Sequence, residues 1–238
     1  MKTSSPYHQY CPLAMSAEFL CNRWTIIILR ELLFGSTNFN DISRGVPRMS
    51  RTLLSHRLKE MTEIGLLTRH EKLTGKHVDY KLTDAGKALK NVVVSMACWG
   101  QEWLEIEPSI NNIDVNLLMW DIHRNINPLP ELPDPFVVQF FLTDVPENKS
   151  SHWLVLENGE VDLCHVDHAL KVDVKIIVSA KKLTAVWMGW EDFGHAIKES
   201  SLQIIGAEKY TKIASLWLGQ STIAHLKKRP KALRVNGG

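Results

Sequence analysis

Cysteine is scarce in this chain: four residues among 238, at positions 11, 21, 98 and 164, with no CxxC pair and no regular spacing. That pattern excludes a zinc ribbon and a disulfide-stapled secreted scaffold, and reduced thiols are expected. Long apolar runs are missing too. The most apolar stretch, Trp24 to Leu29, falls far short of the ~20 residues that a bilayer span requires. The opening MKTSSPYHQYCP lacks the basic start, apolar stretch and small-residue cleavage site of a secretory signal, so a soluble, cytoplasmic protein with no membrane partner is expected. Catalytic signatures are absent as well: there is no nucleophile elbow, no phosphate-binding glycine loop and no HExxH. Neither catalytic residues nor a cofactor is therefore expected.

What is present suffices for two cores, since 45% of the residues are hydrophobic. The small net charge of +2 hides an asymmetry. Residues 1–104 carry 14 Lys/Arg against 9 Asp/Glu, whereas residues 105–226 carry 9 against 17. A basic half suits a polyanionic partner, although so small a surplus does not by itself identify one.

The first half reads as helices followed by a hairpin. Leu13 to Leu20 is a short amphipathic stretch, and Trp24 to Phe34 is apolar almost all round, as a buried central helix would be, with Gly35 stopping it. Asn38 can cap a helix over 39–44, with Asp41 in its first turn. Gly45 and Pro47 break the chain, and Ser50 can cap a helix reaching about Glu63, on which Leu54, Leu58 and Met61 form one apolar stripe. Two strand-like runs follow, 66–71 and 78–82, joined by a glycine-containing turn at 73–76. From Thr83 one long helix is expected to reach Leu104. Its apolar residues Leu89, Val92, Met96, Trp99 and Trp103, with Val93 beside them, exceed what one small domain needs for packing and point to a homodimer interface.

At ~100° per residue, placing Leu54 at the centre of the buried stripe puts Thr52, Ser55, His56 and Lys59 on the opposite face of their helix. Arg51 lies at the edge of that face, with Arg48 and Ser50 just before it. Polar donors at the centre and cations around them are what a helix in the major groove of double-stranded DNA needs, the first for base edges and the second for phosphates. The hairpin tip adds Lys72, Lys76 and His77, which suits a wing along the backbone or minor groove. A lone polar helix is more often just a solvated face. The ordered combination of helix-turn-helix, basic-tipped hairpin and apolar helix is what favours DNA.

Residues 11–104 resemble the HxlR-type winged helix-turn-helix regulators of bacteria and archaea. CysPro at 11–12, the Trp24 to Leu33 helix, PheAsnAspIle at 39–42, SerArgThrLeuLeuSerHisArgLeuLysGluMet at 50–61, IleGlyLeuLeu at 64–67 and TyrLysLeuThrAspAlaGly at 80–86 carry the likeness. CysAsnArgTrp at 21–24 stands where that family has a glycine-bearing turn. The resemblance implies a homodimer on a roughly palindromic operator, with the N-terminal helix and the helix after the wing forming the interface. It also implies a redox-sensing role for Cys11. Cys11 begins a helix, where the dipole favours a thiolate; a packed cysteine is the plainer alternative.

Val115 to Ile126 reads as a short helix within a connector over 105–135 that ends in a proline-rich stretch, and the domain boundary is placed there. Beyond it, strands are expected over 136–143, 152–157, 161–166, 172–178 and 202–205, with AsnGly at 158–159 as a tight hairpin, a Ser179-capped helix ending near Gly189, and a last helix over 207–218. The chain is thus α+β: an N-terminal winged helix-turn-helix over 1–104 and a sheet-and-helix domain over 136–226, with a basic, unstructured tail from 227 to 238. The second domain resembles the sterol-carrier-protein lipid-binding fold, which implies an apolar tunnel. Phe140, Trp153, Trp187, Trp190, Phe193 and Trp217 are candidates to line a pocket for an apolar effector, against the alternative of an ordinary aromatic core. CysHisValAspHis at 164–168 contains residue types that bind metal, but Cys164 and His165 face opposite sides of a strand, and no metal site is expected. Two other classes of function stand beside the regulator: an apolar-ligand carrier using the winged fold for dimerisation or docking, and a hydrolase or metal enzyme using His165 and His168, which has least support.

Overall fold

The structure, a computed structural model, describes residues 7–71, 78–105, 111–165 and 171–235. It divides into two compact units, Met1–Met96 and Ala97–Gly238. The division falls inside a helix and not within the 105–135 connector, and its cause lies in what holds the end of that helix.

In the first unit, α1 (Pro12–Leu20) begins with Pro12 at a position whose N–H would have no intrahelical partner. Trp24 then takes a left-handed φ of 79° immediately before α2 (Thr25–Leu33). This is the turn where the family resemblance led us to expect glycine. A tryptophan there costs about 1–3 kcal/mol, offset by packing of its ring against the core of the unit. Asn38 caps α3 (Phe39–Gly45), accepting from the Asp41 N–H at 3.0 Å, and Ser50 caps α4 (Arg51–Glu63), accepting from Leu53 at 3.3 Å. Ile28, Leu29, Ile42, Leu54 and Leu58 close the core with no exposed surface.

Strands β1 (Leu67–Glu71) and β2 (Val78–Leu82) pair antiparallel, with Leu67 opposite Leu82. The Tyr80 N–H donates to Thr37 O at 2.7 Å and pins the hairpin to the start of α3. Thr83 locks the other side: its hydroxyl donates to Gly65 O at 2.7 Å and accepts from the Gly86 N–H. The expected single helix from Thr83 is two, α5 (Asp84–Ala88) and α6 (Lys90–Trp103). At Leu89 the N–H turns back to Gly86 O, a tighter bond that interrupts the helix while Leu89 packs on the core.

The second unit contains the end of α6, α7 (Val115–Asn125), and a five-stranded sheet of β3 (Phe136–Leu142), β4 (Ser151–Glu157), β5 (Glu160–Cys164), β6 (Val174–Val178) and β7 (Leu202–Gly206). Spatial order is β5-β4-β3-β6-β7; β3 and β6 run parallel and the other pairs antiparallel. Asn158 and Gly159 both take positive φ in the β4–β5 turn, as a tight two-residue hairpin requires. Helices α8 (Ala180–Trp187) and α9 (Phe193–Lys198) lie between β6 and β7 in sequence. The last expected helix, 207–218, is instead α10 (Glu208–Thr211) and α11 (Ala214–Leu218). Val138, Phe140, Leu154, Val174 and Ile176, from one sheet face, pack with Leu118, Met119 and Ile122 of α7 and with Leu183 and Trp187 of α8. Helix α7 is therefore core, not connector, because its apolar residues are needed to cover that face.

The tail also departs from expectation. Three of its cations, Lys228, Arg229 and Arg234, are engaged with the end of α6, while Lys227 and Lys231 are exposed. Lys228 Nζ donates to Leu104 O at 2.7 Å, Arg229 pairs with Glu102 at 2.7 Å, and the Val235 N–H donates to Trp103 O at 2.9 Å. Gln101, 3% exposed, joins three segments: Nε2 donates to Met188 O at 2.8 Å and to Leu226 O, and Oε1 accepts from Trp190 Nε1 at 2.9 Å. Carbonyls and acids at the C-terminal end of α6 attract the tail's cations, which is why this part of α6 belongs to the second unit.

Two stability predictions follow from these contacts. A Cβ on Gly86 would meet the Leu66 backbone oxygen at 2.3 Å, so Gly86→Ala should lower unfolding stability by about 1–3 kcal/mol in a denaturant titration. Gln101→Leu keeps the volume but leaves the Trp190 N–H and the Met188 carbonyl without their partner, and should cost about 1–3 kcal/mol in the same assay.

Candidate nucleic-acid interface

The turn between α3 and α4 sets how α4 is presented. Glu31 of α2 is fully buried and paired with Arg30 at 2.7 Å, while Arg30 Nη2 donates to Gly45 O at 2.9 Å. A Cβ on Gly45 would stand 1.9 Å from Glu31 Cδ, so a larger residue there would force the buried Glu31 side chain to shift. From that turn, α4 buries Leu54, Leu58 and Met61 and exposes Thr52, Ser55, His56 and Lys59.

The cations around this face divide by what they touch. Arg48 is exposed. Arg51 is drawn back onto α3: its Nη2 donates to Asn40 Oδ1 at 3.0 Å, and its guanidinium lies 4.6 Å from the centre of the Phe39 ring. Asn40 and Phe39 are therefore supports that sequence patterning did not single out, since neither lies on α4. The Ser50 hydroxyl oxygen is committed to capping. Lys59 meets Glu63 at 3.7 Å and His56 Nδ1 meets Glu60 at 3.2 Å, both exposed pairs that phosphate could displace at little cost. Arg57, by contrast, is buried and paired with Glu60. Among the wing residues, Lys72, Lys76 and His77 lie outside the described residues; Arg69 and Lys81, on the two strands, are exposed. Glu71 lies 2.6 Å from Arg69 and holds its guanidinium pKa above the ordinary arginine value.

The expected dimer face is only partly a surface. Val92, Met96 and Trp99 of α6 are exposed, and so are Leu13, Met15 and Phe19 of α1. Val93 is not: it is buried in the core of its own unit, because α6 turns one residue of each pair inward. Leu89 packs against the same core, and Trp103 is half-buried beneath the Arg229 guanidinium, 5.1 Å from its ring centre.

The six aromatics of the second unit do not share one site. Phe140 and Trp217 have no exposed surface, Trp187 is buried with them, and the Trp217 N–H donates to Tyr210 O at 2.9 Å. Trp153 follows His152, the residue opposite Phe140, and so lies on the other sheet face. Trp190 is turned to Gln101, and Phe193 is half-buried at the start of α9. A groove of about 550 Å³ runs along Phe141, Thr143, Val145, Glu147 and Ser151, and none of the six lines it.

Cys11 is exposed at the start of α1, where the backbone N–H groups of Ala14 and Leu13 favour its thiolate and lower its pKa; burial raises that of Cys164. Cys21 is also exposed. Among the described residues, no helix is long and apolar enough to cross a membrane.

Residues 19–108 match the family model of the HxlR-like helix-turn-helix. The chain is 34% identical over 99 residues to the uncharacterized HTH-type transcriptional regulator YvaP of Bacillus subtilis, a match covering 41% of this chain and 92% of YvaP. It is 38% identical over 91 residues to the uncharacterized HTH-type transcriptional regulator Rv3095 of Mycobacterium tuberculosis, covering 37% of this chain and 55% of that one, so it spans about half that relative's length. A solved structure, the reduced form of the transcriptional regulator YodB from B. subtilis, is 33% identical, with 39% of this chain and 93% of that chain covered at a TM-score of 0.35. On the strength of the family match and of the nearly complete coverage of YvaP, the chain belongs to the HxlR-like helix-turn-helix family.

Proposed function

We propose that this protein is a DNA-binding transcriptional regulator that acts as a homodimer on a roughly palindromic operator. The observation that carries the proposal is the two-sided character of α4, with Leu54, Leu58 and Met61 buried and Thr52, Ser55, His56 and Lys59 exposed together. A helix so anchored can enter the major groove without losing its packing, leaving hydroxyls and imidazole for base edges and Lys59 for a phosphate. The names of the relatives as transcriptional regulators support the same reading. Dimerisation is supported by the apolar surfaces of α1 and α6, at Leu13, Met15, Phe19, Val92, Met96 and Trp99. Two copies of α4 in one dimer would meet successive major grooves ~34 Å apart.

The finer part of the reading is control by an apolar small molecule bound in the second unit. An apolar effector between sheet and helices would have to displace Phe140, Trp187 or Trp217, which already fill that space. Cys11 is the group through which an oxidant or electrophile would act, being exposed and biased to the thiolate.

Gel-shift titrations on the DNA upstream of the protein's own gene test the main claim. The double variant Ser55→Ala/Lys59→Ala should bind at least about tenfold more weakly, with an unchanged unfolding midpoint, since neither residue lies on the apolar stripe. Equal operator affinity for variant and parent would sink the assignment of α4 as the reading helix. The thiol makes a separate prediction: because its pKa is lowered, Cys11 should alkylate with iodoacetamide before Cys21, Cys98 and Cys164, with a rate-versus-pH midpoint below that of free cysteine. Peptide mass spectrometry after brief labelling reads the order directly.

A further inference from the structure

His152 and His165 meet across two antiparallel strands. Strand β4 pairs Trp153 with Cys164 of β5, and one step further along the ladder the two histidines come opposite each other. Their Nδ1 atoms lie 3.1 Å apart with the ring planes crossed at 80°. His152 is 1% exposed, and its Nε2 lies 3.0 Å from the Lys149 carbonyl oxygen. A carbonyl only accepts, so Nε2 carries the hydrogen and the neutral ring offers a lone pair at Nδ1. One imidazole nitrogen held by a backbone carbonyl, with the other left to bind, is how proteins orient a metal-ligating histidine. Two nitrogens each ~2.0–2.1 Å from one ion stand ~2.9 Å apart at a right angle and ~3.4 Å apart at the tetrahedral angle. The observed separation falls between these limits. His165 is exposed, which gives an ion access and leaves room for water in the remaining positions.

We propose that His152 and His165 bind one divalent transition-metal ion of the zinc, nickel and copper class through their two Nδ1 atoms. Imidazole ligands favour that class over calcium or magnesium, which take oxygen ligands. Without metal, His165 Nδ1–H donates to His152 Nδ1; when the ion takes the place of that hydrogen, the exposed His165 ring gives up its Nδ1 proton and takes one up at Nε2, so both rings bind as neutral imidazoles and no net proton is released. Cys164 contributes nothing, because it stands opposite Trp153 on the other face of the sheet. Asp167 and His168 lie outside the described residues, and the proposal uses neither. Glu191, His195 and Glu199 form a competing cluster within 4.8 Å, but Glu191 is already held by Lys182 at 2.6 Å. The site is independent of the DNA-binding reading and would give the second unit an inorganic ligand.

Calorimetric titration of the full chain with zinc chloride, and separately with nickel chloride, tests this. One site is expected, its affinity reduced at least about tenfold in His165→Ala and unchanged in His195→Ala. His165→Ala also removes the hydrogen bond to the buried His152, so its metal-free unfolding midpoint should fall modestly while the variant stays folded, and the comparison of these two folded variants decides the matter even if His152→Ala does not fold. Bound copper(II) should show hyperfine coupling to two imidazole nitrogens in its electron paramagnetic resonance spectrum, and lose it in His165→Ala. Equal affinity in parent and His165→Ala, a loss confined to His195→Ala, or no binding at all would overturn the proposal and leave the pair as an N–H···N hydrogen bond only.

Discussion

The first unit depends on the burial of one stripe of α4. Leu54 and Leu58 reach the centre of the core with no exposed surface, against Ile28, Leu29 and Ile42. Burial of this kind is worth about 1.5–3 kcal/mol for each large side chain. Because the helical period is fixed, committing 54, 58 and 61 to the interior also fixes which residues face outward. No separate interaction is needed to display Thr52, Ser55, His56 and Lys59. Pairing of Arg51 with Asn40 and its stacking on Phe39 then tie the front of α4 to α3, so that the two helices of the turn are held as one piece.

Close backbone approaches at two glycines complete that piece. Gly45 lets α3 end against the buried carboxylate of Glu31, and Gly86 lets α5 start against the carbonyl of Leu66. Both glycines lie within or beside stretches that carried the family resemblance, and the structure gives each a steric reason. The same holds in reverse for Trp24, which occupies a left-handed turn without being glycine. Its ring supplies packing that glycine could not.

Much of this was legible in the sequence because it is local. Asn38, Ser50, Thr83 and Ser179 each accept a backbone N–H at a helix start, as their residue types and positions foretold. The AsnGly turn and the positions of the strands along the chain were equally readable. What escaped is what depends on distant partners. Periodicity could not show the break at Leu89, which coincides with the contact of Gly86 with Leu66 from before the hairpin. Val93 reads as surface on a helical wheel and is buried only because β1, β2 and α2 come to meet it as part of one core. Gln101 looks like an ordinary helical polar residue, and its role as a three-way hydrogen-bond hub depends on Met188, Trp190 and Leu226. His152 escaped for a related reason: a cross-strand neighbour is visible only once the register is known.

The pairing of the tail changes the electrostatic reading of the whole chain. On composition alone, Lys228, Arg229 and Arg234 could be counted towards a phosphate-binding surface. In the structure they are engaged with Leu104 O, Glu102 and Glu105 at the end of α6. Their attraction is thus spent within the second unit, whose residues 105–226 remain acidic at 9 Lys/Arg against 17 Asp/Glu. Phosphates are then attracted to the first unit and repelled by the second, whatever the arrangement of the two. A modest basic surplus beside a larger acidic one does more than the surplus alone, because it orients the encounter as well as favouring it. Since both terms are screened by salt, the discrimination between the two halves weakens together with the attraction, and under the proposed function base contacts from α4 would have to supply the selectivity that persists at high ionic strength.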